Sequence, residues 1–356
     1  MGRRTDFGNS WAQVVANWCF GVPPPVNEQI AWDSMEAMEE FWPEYLDTVL
    51  ADGIRTRLVI ANVIDYGQIL RKCSDLEGFQ GVVQRLRTGD KGALAELKFA
   101  DSLINAGYRP VLEPELNGRR LDAVVVEGAE RVFVEVISPE LSQAMQRAEE
   151  GVAILAAALT ACTPGLISDV HILADPNEDV IRQVLAFVLS GPIVQATVVH
   201  EIPGIAFVAL QPFDPRIELI KSHFIDRGVP AIGIVSVNRK GSLPSLAMVR
   251  LPIDDQRAAR LMAAETHQLS RDETNILAID VTNIPGGLSD WRPLIERRFQ
   301  PNLNQRFSAV VLFTRVNQLH KANILRGYRV LPNPHAYRPV PDALLQAIAK
   351  LHQQAP

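Results

Sequence analysis

The chain has 356 residues, enough to bury a substantial core in one or two domains, and its 47% hydrophobic and 21% charged residues describe an ordinary globular protein. No apolar run reaches the length of a bilayer span, and the longest candidate, GVAILAAALTAC, reads as a buried helix, so no membrane partner is expected. The formal net charge of −6 argues against a broad unspecific grip on phosphates, because that affinity comes from basic surfaces that release counterions.

The opening MGRRTDFGNSWAQVVANW carries an arginine pair but no unbroken apolar segment, so it does not read as a secretory signal. Asp6 stands where a myristoylation signal needs Ser or Thr. Cys19, Cys73 and Cys162 are odd in number and widely spaced, which fits no disulfide or zinc framework and points to a reducing, cytoplasmic location. Residues 1–89 read as helical, with helical periodicity over 34–50 and 54–73. Four of the five tryptophans (Trp11, Trp18, Trp32, Trp42) fall in this segment, as core or docking residues or as a surface for a protein partner.

From Asp90 the pattern changes. KGALAELKFADSLINAG is a helix stopped by Gly107. YRPVLEPEL is a short strand and Asn117–Gly118 a turn; RRLDAVVVEG and RVFVEVIS are two strands joined at EGAE. A long helix runs through QAMQRAEEGVAILAAALTAC, and LISDVHILADP is an apolar strand. Strand, helix, strand predicts a parallel crossover, hence an α/β sheet. Further on, EDVIRQVLAFVLS, DDQRAARLMAAETHQL, SDWRPLIERRF and DALLQAIAKLHQQ read as helices; GIAFVALQP, NILAIDVTNI and RFSAVVLFTRV read as strands. No long linker separates them, so they are expected to extend one domain.

Residues two apart on a strand share a face. Asp122 therefore shares one with Arg120 and Val124, and Glu135 with Phe133 and Ile137. A hairpin would bring the two acids together. Glu96 lies on a small apolar helical stripe with Ala93, Ala100 and Leu103, where a carboxylate turned inward needs a partner. Three converging carboxylates repel one another unless a cation sits among them, and Mg²⁺ or Mn²⁺ suits oxygen ligands. Other signals are weaker. HEIPG at His200–Glu201 lacks a second histidine, NIPGGLSDW lacks nucleotide-loop spacing, and Asp169–His171 lies on an apolar strand.

In order and residues, this stretch resembles the PD-(D/E)XK nuclease superfamily, including its bacterial members, with its restriction-endonuclease-like α-β-β-β-α-β fold. The resemblance implies a metal-dependent hydrolase acting on nucleic acid, DNA or RNA. Glu96 matches the helix glutamate and Asp122 the second-strand aspartate, with Leu121 replacing the frequent proline. Glu135 and Val136 match the third-strand motif. Ile137 stands where the family has lysine, whose charge would position water and stabilise developing negative charge. Arg120, Gln146 and Arg147 are candidates to supply a migrated polar or charged group, and arginine holds phosphate but is a poor base. The expected organisation is a helical segment over 1–89 and a nuclease-like α/β domain over 90–356, with its core in 91–175 and an extension over 176–356. Glu96, Asp122 and Glu135 would hold Mg or Mn. The rival reading is a catalytically degenerate pseudo-nuclease serving as a binding or scaffold module.

Overall fold

The computed structural model describes residues 24–51, 57–116, 118–140, 143–190, 198–213, 231–238, 243–252, 255–266, 269–284, 287–318 and 323–351. Trp11 and Trp18 lie outside them. The chain is mixed α/β and forms two compact units. The first comprises residues 1–139, 259–282 and 295–356; the second comprises 140–258 and 283–294. The expected boundary near residue 89 is not where the units divide, because the helices ahead of it share one core with the strands behind it.

In the first unit, α1 (Pro24–Phe41), α2 (Pro43–Ala51), α3 (Arg57–Cys73), α4 (Phe79–Arg87) and α5 (Lys91–Asn105) precede the first strands. Asp90 caps α5 by accepting the Gly92 N–H at 2.8 Å, and Gly107 (φ 92°) turns the chain away after it. A six-stranded sheet follows. β1 (Val111–Leu112), β4 (Ala123–Glu127) and β5 (Glu130–Ile137) form an antiparallel meander. β11 (Thr274–Asp280) and β12 (Ala309–Gln318) continue it in parallel, and β13 (Asn323–Pro332) closes it antiparallel, in the order β1-β4-β5-β11-β12-β13. The β4–β5 turn passes through Gly128 (φ 62°). β2 (Glu115–Leu116) and β3 (Arg119–Arg120) make a separate two-stranded ribbon around the predicted turn.

Alternation along the strands sorts the two faces. Val132, Val134, Val136, Ile276, Ala278, Ala309 and Val311 join the core built with α1 to α5 and the closing helix α10 (Asp342–Leu351). Trp32 and Trp42 pack against this core half-buried, and Trp42 stacks on Tyr45 at 4.6 Å between ring centroids. Those two tryptophans therefore have a packing role. Phe133, Glu135, Leu277 and Ile279 belong to the opposite face.

The second unit holds α6 (Gln143–Cys162), β6 (Leu166–Ile172), α7 (Glu178–Ser190), β7 (Val198–Ile202), β8 (Ala206–Pro212), β9 (Ala231–Asn238) and β10 (Ser245–Pro252). Its five strands run in the order β7-β8-β6-β10-β9, with only β6 and β10 parallel. α6 packs on β9 and β10, where Ser245 Oγ donates to the Thr160 carbonyl at 2.5 Å. This corrects the expected core over 91–175. The strand at Leu166–Ile172 does not return to the sheet of Asp122 and Glu135; the parallel neighbour of β5 is β11, with Leu277 beside Glu135 and Ile279 beside Ile137. The helix preceding β11 in sequence is α8 (Asp255–Thr266), and α9 (Leu288–Glu296) comes between β11 and β12. Periodicity marked β5, β6, β11 and the helices between them but carried no record of which strand is whose neighbour.

Candidate functional site

Asp122 stands one residue before β4. Since Ala123 pairs with Val134, continuing the register by one residue sets Asp122 opposite Glu135. Parity places both on the face away from the α1–α5 core. Asp122 Oδ2 accepts the Val136 N–H at 2.6 Å, and the Asp122 carbonyl accepts the Glu113 N–H at 3.0 Å. Glu135 is 8% exposed, and its Oε2 is buried with no hydrogen-bond partner among the described residues. An isolated buried carboxylate oxygen is costly, so the group must be protonated or must meet a cation.

The electrostatics agree. Burial, followed by the charges of Asp122, Glu265 and Glu96, pushes the Glu135 carboxyl up to about 9, with Arg85 opposing. Burial and then the charge of Glu96 push Asp122 up to about 7, against the pull of the Val136 N–H and Arg85. Glu265, half-buried on α8, is raised by burial. A cation beside Asp122 and Glu135 would favour their charged forms.

Glu96 is 4% exposed and is engaged elsewhere. Arg85, from α4, donates from one terminal nitrogen to Glu96 Oε1 at 2.9 Å and from the other to Glu96 Oε2. The same guanidinium donates to Asp90 Oδ2 at 3.0 Å and, through Nε, to Glu113 Oε1 at 3.1 Å. Burial raises the Glu96 carboxyl, as do the charges of Asp90 and Glu113, while Arg85 holds it down. Burial alone would lower the Arg85 guanidinium; the hydrogen bond and charge of Glu96 outweigh it, and Arg85 stays charged. Among the described residues, no three His, Cys, Asp or Glu side chains are gathered closely enough to hold a metal ion. The predicted trio thus divides into an Asp122–Glu135 pair on one sheet face and a Glu96 carboxylate clasped by arginine.

The other predicted residues divide between the two units. Arg120 is exposed and meets Glu113 Oε1 at 3.5 Å. Gln146 and Arg147 are exposed on α6, a helix of the second unit, rather than on the elements that carry the carboxylates. Ile137 is half-buried beside the fully buried Ile279. Sequence reasoning missed Arg85, Glu113 and Glu265. The only signal for Arg85 was a basic residue five positions before the cap of the helix that carries Glu96.

Asp122 and Glu135 offer hard oxygen donors, one of them an orphaned buried oxygen, and this chemistry fits a divalent cation such as Mg²⁺ or Mn²⁺. The chain matches no family model, no curated protein and no solved structure.

Proposed function

We propose that the first unit carries a divalent-cation-dependent phosphodiester hydrolase site of the nuclease kind, with Asp122 and Glu135 as ligands and nucleic acid as substrate. The observation that carries this reading is the buried, partnerless Oε2 of Glu135 on the same face as Asp122. The order of elements lends support. Helix α5, the antiparallel β1-β4-β5 meander, helix α8 and strand β11 parallel to β5 follow the restriction-endonuclease-like order, with residues 140–254 inserted before the second helix.

When bound, Mg²⁺ or Mn²⁺ supplies Lewis acidity and a more acidic coordinated water. The Val136 N–H fixes one oxygen of Asp122, which leaves Oδ1 as its ligand atom. Glu135 gives up its proton as it becomes a ligand, so affinity for the ion rises with pH through the range set by about 7 and about 9.

The rival reading, a pseudo-nuclease scaffold, is favoured by one observation: Ile137 and Ile279 form an apolar pair where the family's lysine charge would be. Incubating the protein with Mn²⁺ or Mg²⁺ and single- and double-stranded DNA and RNA, beside Glu135→Ala, separates the two. Metal-dependent cleavage lost in the variant supports the enzyme. An inert wild type that gains cleavage through Ile137→Lys supports the scaffold. Failure of wild type to bind Mn²⁺ by calorimetry would sink the enzyme reading.

A further inference from the structure

Arg85 is unusually well anchored for a residue with no place in the predicted site. Glu113, which receives its Nε, is a non-glycine residue at φ 50°, a backbone conformation that L residues adopt at a cost. The Glu113 carboxylate lies so close to Gly81 on α4 that any Cβ there would collide with its Oε2. Gly78 (φ 84°) in turn brings the start of α4 against β1, with the Leu112 N–H donating to the Glu77 carbonyl at 2.8 Å. These contacts pin one edge of the guanidinium. Its terminal nitrogens form the fork that grips Glu96, a geometry that suits a phosphate as well as a carboxylate. The side chain is 34% exposed, so a ligand can reach it.

Building on the cation reading above, we propose that Arg85 is the phosphate-contacting group of this site and that Glu96 is its placeholder. Glu96 leaves the fork when drawn to a cation held by Asp122 and Glu135, and a phosphodiester then takes the fork. Glu113 and Asp90 keep the guanidinium aimed throughout. This supplies the positive charge missing at Ile137 on β5 from helix α4. It also explains why the carboxylate trio is split, since Arg85 holds Glu96 away from the ion until the ion competes for it.

The test is a double-mutant cycle on the full chain, read by calorimetric titration with Mn²⁺ alone. Arg85→Gln frees Glu96 and should tighten Mn²⁺ binding by about tenfold, while Glu96→Gln should weaken it. The gain from Arg85→Gln should vanish in the Glu96→Gln background. An equal gain in both backgrounds, or none in either, would overturn the placeholder role. Arg85→Lys keeps the charge but not the fork and reports if the glutamine variant fails to fold. In Mn²⁺ it should weaken binding of a labelled single-stranded oligonucleotide, followed by fluorescence anisotropy, about tenfold or more. Unchanged oligonucleotide affinity would overturn the phosphate contact. Loss of Mn²⁺ binding in Glu135→Ala shows that the cation reading stands when the cycle fails; absence of Mn²⁺ binding by the wild type removes that reading and the proposal together.

Discussion

Asp65 and Glu135 are both buried acids of the first unit with an oxygen that makes no hydrogen bond, yet Asp65 lies against two arginines, whereas Glu135 Oε2 has no partner among the described residues. Asp65, on α3, meets Arg315 Nε at 2.6 Å and Arg326 at 2.7 Å. Arg326 also bridges to Asp101 on α5, which Lys72 meets at 3.2 Å. Arg315 lies over the Tyr66 ring at 4.7 Å and donates to Asn62 at 2.9 Å. This network ties α3 and α5 to β12 and β13, and it sets each of its two carboxylates against two cations. The Asp122–Glu135 site, with Glu265 nearby, gathers acids opposed by Arg85, which is already committed to Glu96, Asp90 and Glu113. Buried charge that is fully paired serves the fold. Buried charge left unpaired weakens the fold and is retained where something else binds.

That contrast gives opposite signs to similar substitutions. The largest effect belongs to Asp65→Ala, which leaves the buried Arg315 guanidinium without its carboxylate and removes one of the two that hold Arg326, and should cost on the order of 3–5 kcal/mol in urea unfolding. A loss under about 1 kcal/mol would remove the structural half of the comparison.

Glu135→Gln should act the other way. Without metal at pH 8, folding forces Glu135 to take up a proton that it does not hold when unfolded, since its carboxyl is raised from 4.5 to about 9. This cost is absent below pH 4.5 and grows as pH rises toward 9. Wild-type stability should therefore fall over that window, and Glu135→Gln should abolish much of the slope. At pH 8 the variant should be more stable by on the order of a few kcal/mol, seen as a higher melting temperature. Mn²⁺ should raise the melting temperature of the wild type and leave that of the variant unchanged. A variant that melts below metal-free wild type at pH 8 would show that Glu135 is a stabilising group after all.

Ser102→Ala sharpens the paired side. It removes a buried hydrogen bond of 2.8 Å to the Tyr328 hydroxyl and should cost about 1 kcal/mol with no change in Mn²⁺ affinity. The smallest stability effect is expected of Gly81→Ala. Alanine's helix preference of about 0.8 kcal/mol offsets the displacement of Glu113, so unfolding should shift by less than about 1 kcal/mol. Mn²⁺ affinity should nevertheless move in the same direction as in Arg85→Gln, because the aim of Arg85 is lost. A variant with normal affinity would show that Glu113 does not position the guanidinium.

The sequence by itself determined the local elements of the site. Gly107 marks the end of the helix of Glu96, Gly128 marks the turn between the two acidic strands, and the two-residue period puts Asp122 and Glu135 on one face. It also determined the absence of charge at Ile137. Some strands escaped it. β13, NILRGYRVLP, interrupts its apolar alternation with Arg326 and Gly327, and the half-buried Arg326 is held there by Asp65 and Asp101. Tertiary structure alone decided the rest. Side-chain period encodes which face a residue occupies, whereas strand neighbours are chosen by packing among distant segments, so β11 and not β6 came to lie beside β5. The commitment of Glu96 to Arg85 was hidden for the same reason. Two residues on successive helices, eleven positions apart, meet only because Gly78 and Gly81 let α4 close against β1 and Glu113, a contact that no spacing in the sequence records.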